Sequence, residues 1–133
     1  MNPGRDLTTL LHSLAPVMAD GIFVYTTLAP GDGVPPGLTP VFTFDEAEGQ
    51  TLVLLESQAL GAGLPFTFPC RQITLTVHSA LDAVGFLAAL TAALADAGIP
   101  ANAVSAFHHD HLFVPVDRAD EAIAVLERFQ RAK

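Results

Sequence analysis

Little in this sequence is positively charged, and almost nothing in it can cross-link. Of 133 residues only six are Lys or Arg against fourteen Asp or Glu, a formal net charge of −8. Four of those six, Arg118, Arg128, Arg131 and Lys133, fall in the last sixteen positions. No basic stripe is left to track a phosphate backbone, which excludes nucleic acid and anionic membrane surfaces as partners. At the end of a predicted helix, Arg128, Arg131 and Lys133 simply complement the negative end of the macrodipole. A single cysteine, Cys70, rules out an internal disulfide and reads as a small buried residue without a redox role. No apolar run approaches the roughly 20 residues needed to span a bilayer. The N-terminal stretch MNPGRDLTTLLHSLAP carries an early Asp and an apolar segment broken by His12 and Ser13, so it makes a poor secretory signal. The expectation is a soluble, cytoplasmic chain. With half its residues apolar and 15% charged, it can build a core as one ordinary domain or two small ones.

The pattern along the chain divides it. Asp6 ahead of Leu7, Leu10, Leu11 and Leu14 predicts a short capped helix ended by Pro16. GIFVYTT, residues 21–27, predicts a strand. Residues 28–40 hold four prolines and three glycines and predict a long loop, a type of segment that often carries function. VFTFDE and TLVLLES, on either side of Ala47 to Gln50, predict a hairpin. Gly and Pro then dilute residues 58–69, which places a boundary between a first half, 1–66, and a second half, 67–133. In RQITLTVHS, Ile73, Leu75 and Val77 alternate with Thr74, Thr76 and His78, the mark of a strand with one apolar face. Ser79 is positioned to cap a following helix whose stripe is Leu81, Val84, Leu87, Ala88, Thr91 and Leu94, stopped by Gly98 and Pro100. ANAVSAF and HLFVPV predict two strands joined through His108, His109 and Asp110, followed by a last helix capped by Asp117.

Strand, helix, strand, strand, helix is the order of a ferredoxin-like sheet, in which the strand from 111 lies between those from 72 and 101. That order brings His78 toward the turn of His108, His109, Asp110 and His111. Leu112, Val114 and Val116 should share the helix-covered face, leaving His111 and Phe113 on the other.

ITLTVHSALDAVGFLAAL, GIPANAVSAF, HDHLFVPV and, in the first half, FDEAEGQTLVLL together resemble the small bacterial proteins with tandem ACT-like modules. The resemblance implies an α+β protein of two ferredoxin-like ACT subdomains, their antiparallel sheets covered by helices on one face, assembled into a homodimer by further sheet pairing. It implies a regulatory protein that binds a small molecule, most often an amino acid, at a subdomain or dimer interface. The implied ligand-binding residues are Val77, His78, Ser79, Ala80 and Leu81 in the first loop, Val84 and Gly85 behind it, and Asn102, Ala103 and Val104 on the neighbouring strand. The last strand of the second module has no counterpart after the final helix, so one half should complete the sheet of the other.

A helix N-terminus with free N–H groups suits an amino-acid carboxylate, and Asp110, Asp82 or Glu48 can meet its amino group. The alternative is a ligand-free dimer or protein-interaction module whose interfaces are filled by side chains. A second alternative is a metal site, with His78, Asp110 and His111 as its ligands. Neighbouring histidines in a tight turn point apart, however, and no HExxH helix or cysteine pair supports a metal, so none is expected, nor any cofactor. The histidine corner also makes ligand binding or dimerisation pH-sensitive. Catalysis is not expected: His78 and Ser79 are sequence neighbours, a poor arrangement for a base and its nucleophile, and neither a phosphate loop nor a dinucleotide fingerprint is present.

Overall fold

A computed structural model of the chain describes residues 4–131. In chain order the elements are α1 (Leu7–Ser13), β1 (Pro16–Met18), β2 (Phe23–Leu28), β3 (Phe42–Glu46), β4 (Gly49–Leu55), α2 (Glu56–Gly61), β5 (Thr67–Leu75), α3 (Phe86–Asp96), β6 (Asn102–Ser105), β7 (Asp110–Pro115), a 3-10 turn (Val116–Arg118) and α4 (Ala119–Arg131). They form two compact units: a host unit of Met1–Asp20 with Arg71–Lys133, and an inserted unit of Gly21–Cys70. Among the described residues no helix is long and apolar enough to cross a membrane.

In the host unit the strand order is β1, β5, β7, β6, the arrangement of a ferredoxin-like sheet. β7 sits between β5 and β6 and runs antiparallel to β6, as the sequence leads one to expect. The strand missing after the last helix is supplied by β1, which pairs antiparallel with β5 from Pro16↔Leu75 to Met18↔Ile73. One half of the sequence does complete the sheet of the other. α1 forms because Asp6 caps it: its carboxylate accepts from the Thr9 amide at 3.0 Å and the Thr9 hydroxyl at 2.5 Å. Leu10 and Leu14 then enter the same core as Ile73, Leu75, Leu90, Leu94, Leu112, Val114 and Leu126. In α3, Phe86, Leu90 and Leu94 recur at a spacing of four, which puts them on one buried face. It ends in a Schellman motif: Gly98 takes φ 73° and donates to Ala95 at 2.9 Å, and Ile99 donates to Leu94 at 2.9 Å. Asp117, expected as the cap of α4, lies instead in the 3-10 turn, where no side chain caps, and the helix begins at Ala119.

The inserted unit repeats this topology with different parts. β2 and β3 both pair antiparallel with β4, so they run parallel to each other, and the start of β5 pairs with the free side of β2. The crossover from β2 to β3 is the Pro- and Gly-rich loop of residues 29–41, where the host unit uses a helix. That loop is tied to α2 by paired bonds between Thr39 and Gln58, both 2.9 Å, and it contributes Leu38 to a core of Val24, Leu28, Leu52, Leu54 and Ala59. α2 itself was not legible in residues 58–69. Where β2 meets β5 the register slips by one residue, between Phe23↔Cys70 and Tyr25↔Thr67. The bulge holds Phe68 at φ 58° beside Pro69, a proline position that a regular ladder would reject. The Cys70 thiol donates to the Phe23 carbonyl at 3.3 Å, and burial pushes it up to about 12. It is no thiolate at neutral pH, consistent with a packing role.

Candidate functional site

β5 ends at Leu75, three residues before His78, to which the sequence pattern extends it. Thr76 still faces β1, its amide donating to the Ala15 carbonyl at 3.0 Å and its hydroxyl to the same oxygen. Two tight turns follow, Val77 N–H to Leu75 at 2.8 Å and Ser79 N–H to Val77 at 3.0 Å, so residues 76–85 are a loop. The helix expected from Ser79 starts only at Phe86. Gly85, at φ 93°, is its N-cap, a left-handed conformation that favours glycine, and no side chain caps it. Ser79 is otherwise engaged: its hydroxyl donates to Asp110 Oδ2 at 3.3 Å. The consequence is that Leu81 and Val84, expected on a buried helical stripe, are 72% and 85% exposed.

Between this loop, the start of α3 and the β6–β7 hairpin lies a cleft of about 140 Å³. The loop contributes Ser79, Ala80, Leu81 and Ala83, the helix Gly85, Phe86, Leu87 and Ala88, and the hairpin Ser105, Ala106, His109 and Asp110. One wall is therefore the first turn of a helix, whose N–H groups have no partner within the helix and no capping side chain. Another carries Asp110, a carboxylate only 8% exposed. The space corresponds to about four or five waters at ~30 Å³ each. Larger openings exist. One of about 420 Å³ in the inserted unit, lined by Tyr25, Thr26, Thr27, Thr51, Pro65, Phe66 and Thr67, offers no charged group. Convergent polar groups mark a ligand site better than volume does.

Of the residues anticipated from sequence, Ser79, Ala80, Leu81 and Gly85 line the cleft. Val77 packs partly against the core. His78 lines a neighbouring opening of about 250 Å³ with Arg5, Ser79, Ala80, Leu81, Asp82 and Phe107. Asn102, Ala103 and Val104 lie on β6 opposite Phe113, Leu112 and His111, outside the cleft lining, which draws instead on Ser105 and Ala106 just beyond them. Of the three carboxylates considered for an amino group, Asp110 faces the cleft, Asp82 pairs with Arg5 at 2.9 Å, and Glu48 sits in the exposed β3–β4 turn of the inserted unit. The first turn of α3 was not singled out in advance, and His109 was singled out only as a member of the histidine turn, not as a ligand contact. Only a correct helix start would have exposed them.

The histidines do not converge. His78 and His108 have ring centroids 5.7 Å apart, and His108–His109 and His109–His111 are each separated by 6.5 Å. Among the described residues no three His, Cys, Asp or Glu side chains are grouped to hold a metal ion, so His78, Asp110 and His111 are not brought together as a ligand set. His111 instead meets Thr74 Oγ1 through Nδ1 at 3.0 Å, on the sheet face away from Leu112 and Val114. Burial, and then the neighbouring His109, hold its imidazole below the usual range, opposed by Asp110.

Residues 3–71 match the ACT-domain family, and residues 67–128 match a second ACT-domain model. Among solved structures, a protein of unknown function from Vibrio cholerae, described as a possible transport protein, is 40% identical over 93% of this chain and 95% of its own, with a TM-score of 0.85. A protein from Agrobacterium tumefaciens is 18% identical over 88% of this chain and 89% of its own, at a TM-score of 0.75. The regulatory subunit of aspartate kinase from Thermus flavus shares the fold at 9% identity, over 86% of this chain and 95% of its own, at a TM-score of 0.62. No curated protein matches the sequence.

Proposed function

Because the chain belongs to the ACT-domain family, with two such modules in tandem, we propose that it is a regulatory protein that binds a small amino acid in the host-unit cleft and reports occupancy to a partner. The observation that carries this reading is the pairing, in one cavity, of a buried carboxylate with an uncapped helix N-terminus. An α-amino acid is a zwitterion. Its carboxylate suits the free N–H groups and partial positive charge at Phe86 to Ala88, and its ammonium suits Asp110. Ser79 orients Asp110, and Ala80, Ala83, Ala88 and Ala106 leave room for a side chain no larger than a few heavy atoms.

The function is binding, not catalysis, and it operates in the cytoplasm. The two family matches support a division of the sequence into modules at 1–66 and 67–133. His78, Val84 and the β6 residues Asn102, Ala103 and Val104 are assigned to the surroundings of the site, where a second copy of the chain packs. Leu81, Val84 and Phe107, at 72%, 85% and 72% exposure, favour such a covering partner. They also support the rival reading, an interaction module with no ligand.

The test is a thermal-shift screen against the standard L-amino acids. Binding at 100 times Kd stabilises the folded state by about 2.7 kcal/mol, roughly 8 °C for a chain of this size. A shift for a small amino acid that is lost in Asp110→Asn supports the reading. The absence of a shift with all of them, in a protein that elutes as a dimer, would leave the interaction module as the better account.

A further inference from the structure

The ligand loop is held from outside by the segment just ahead of α1. Gly4 bridges Ser79 in parallel fashion: its N–H donates to the His78 carbonyl at 2.8 Å and its carbonyl accepts from the Ala80 N–H at 2.8 Å. One residue on, Arg5 Nε and Nη2 reach the two oxygens of Asp82 at 2.9 and 3.4 Å. Among the described residues, these contacts, the bond from Ser79 to Asp110 and the ring contact of His78 with His108 tie residues 78–82 to more distant parts of the host unit. The loop's remaining bonds are local turns, such as Ala83 N–H to Ala80 at 3.0 Å.

The anchor itself is firm. Asp6 caps α1 directly after Arg5, and Leu10 and Leu14 of that helix and its C-cap are buried in the core. A Cβ on Gly4 would stand 3.1 Å from Leu10 Cδ2 of α1 and 3.8 Å from the His78 carbonyl oxygen, so a side chain there would crowd the helix and still clear the loop. Arg5 and Asp82 are both largely exposed, and an exposed ion pair adds little. The backbone bridge at Gly4 therefore carries most of the effect.

We propose that Gly4 and Arg5 form a strap that sets the conformation of the ligand loop, so that release or displacement of the N-terminal segment opens the cleft and weakens amino-acid binding. This rests on the ligand reading above. The strap bonds the backbone on either side of Ser79, and Ser79 and Ala80 also line the cleft. It needs no contact with the ligand to control affinity, because loop opening lowers the fraction of protein competent to bind. Gly4 and Arg5 are thus positioning residues.

The full-length Gly4→Pro variant removes the N–H that binds His78 while keeping the chain length. Two quantities decide: amide exchange at Ala80, measured without ligand, and the affinity for L-alanine and L-serine by calorimetry. The strap predicts exchange at Ala80 about fivefold to tenfold faster, as expected for one lost backbone bond, with both affinities falling in proportion to the closed fraction of the loop that the exchange reports. Unchanged exchange at Ala80 would overturn the strap. So would affinities that fail to fall when the exchange shows the closed fraction of the loop to have dropped. If the parent protein binds neither amino acid, the ligand reading fails separately, and Ala80 exchange alone decides whether the segment orders the loop. Should Gly4→Pro not fold, Asp82→Arg takes its place: repulsion from Arg5 should speed Ala80 exchange about twofold, and adding Arg5→Asp should restore it. A failure of the swap to restore it would count against the strap.

Discussion

The two units build one topology by different means. The host unit crosses from its first strand to its second through an eleven-residue helix, α3, while the inserted unit makes the same crossover with the loop of residues 29–41. Strand order survives the exchange, because hydrogen-bonded pairing and the alternation of buried side chains specify it. What changes is the core. Three helices close over the host sheet around Leu10, Phe86, Leu90, Leu94 and Leu126, but the inserted unit has α2 with Leu38, Leu64 and Phe66 from its loops over Val24, Leu28, Leu52 and Leu54. A helix is therefore dispensable for the topology and matters for how much apolar surface is removed from water.

The sharpest way to break this contrast is to damage each crossover. Ala92 is exposed in the middle of α3, so Ala92→Pro removes no packing, yet the lost N–H and the clash with the preceding turn should cost about 3 kcal/mol or more. Val34→Ala, in the loop, should stay within about 0.5 kcal/mol. Urea denaturation measures both, and equal effects would mean that the loop is as ordered a structural element as the helix.

The second contrast concerns stability. Leu94→Ala and Leu54→Ala each empty a fully buried site, a change that costs about 2–5 kcal/mol in general. Leu54→Ala should fall toward the lower end, since the smaller cluster can relax around it. Cys70 is the sole thiol and belongs to the inserted unit, so its labelling reports that unit's opening. Labelling should set in at lower urea than the exchange of amides in α4 and β7. Coincident transitions would show that the two units unfold as one.

How much of this was legible in the sequence follows the same divide. α1, the β3–β4 hairpin, the end of α3 and the β6–β7 hairpin announced themselves through local chemistry: an Asp cap, a two-residue turn and a glycine at the helix C-terminus. The start of α3 did not. Ser79 has the residue type and spacing of an N-cap, and only tertiary partners, Gly4 on its backbone and Asp110 on its hydroxyl, draw it into a loop. That error displaced the expected helix start by six residues, from Ser79 to Gly85: Ser79 to Leu81 were identified as site residues, whereas Phe86 to Ala88 were not. α2 was missed because a six-residue helix without a side-chain cap leaves too short a period to read.

A smaller effect tests the close approach of β4 to β2. Gly49 begins β4, and a Cβ there would lie 2.4 Å from the Leu28 carbonyl oxygen, a backbone atom that cannot swing aside. Gly49→Ala should cost about 1–3 kcal/mol as overpacking. The loss should appear in Cys70 labelling and leave the exchange of α4 unchanged. An equal loss in both units would mean that the inserted unit does not open separately.

The smallest expected effect, and one confined to the host unit, comes from His111. Its imidazole is held below its ordinary value by burial and by His109, against the pull of Asp110, while Thr74 and Gln72 face its Nδ1. In the unfolded chain the same group titrates near 6.5. Just below that pH the unfolded state binds more protons than the folded one, so the contribution of His111 to stability is present above about pH 6.5 and is lost as the pH falls toward the folded value. Stability of the parent protein should therefore decline from pH 7 to pH 5 more steeply than that of His111→Gln. Parallel curves for the two would mean that His111 titrates alike in both states. The difference should appear in α4 and β7 exchange before it appears in Cys70 labelling, because the titrating group sits in the host sheet.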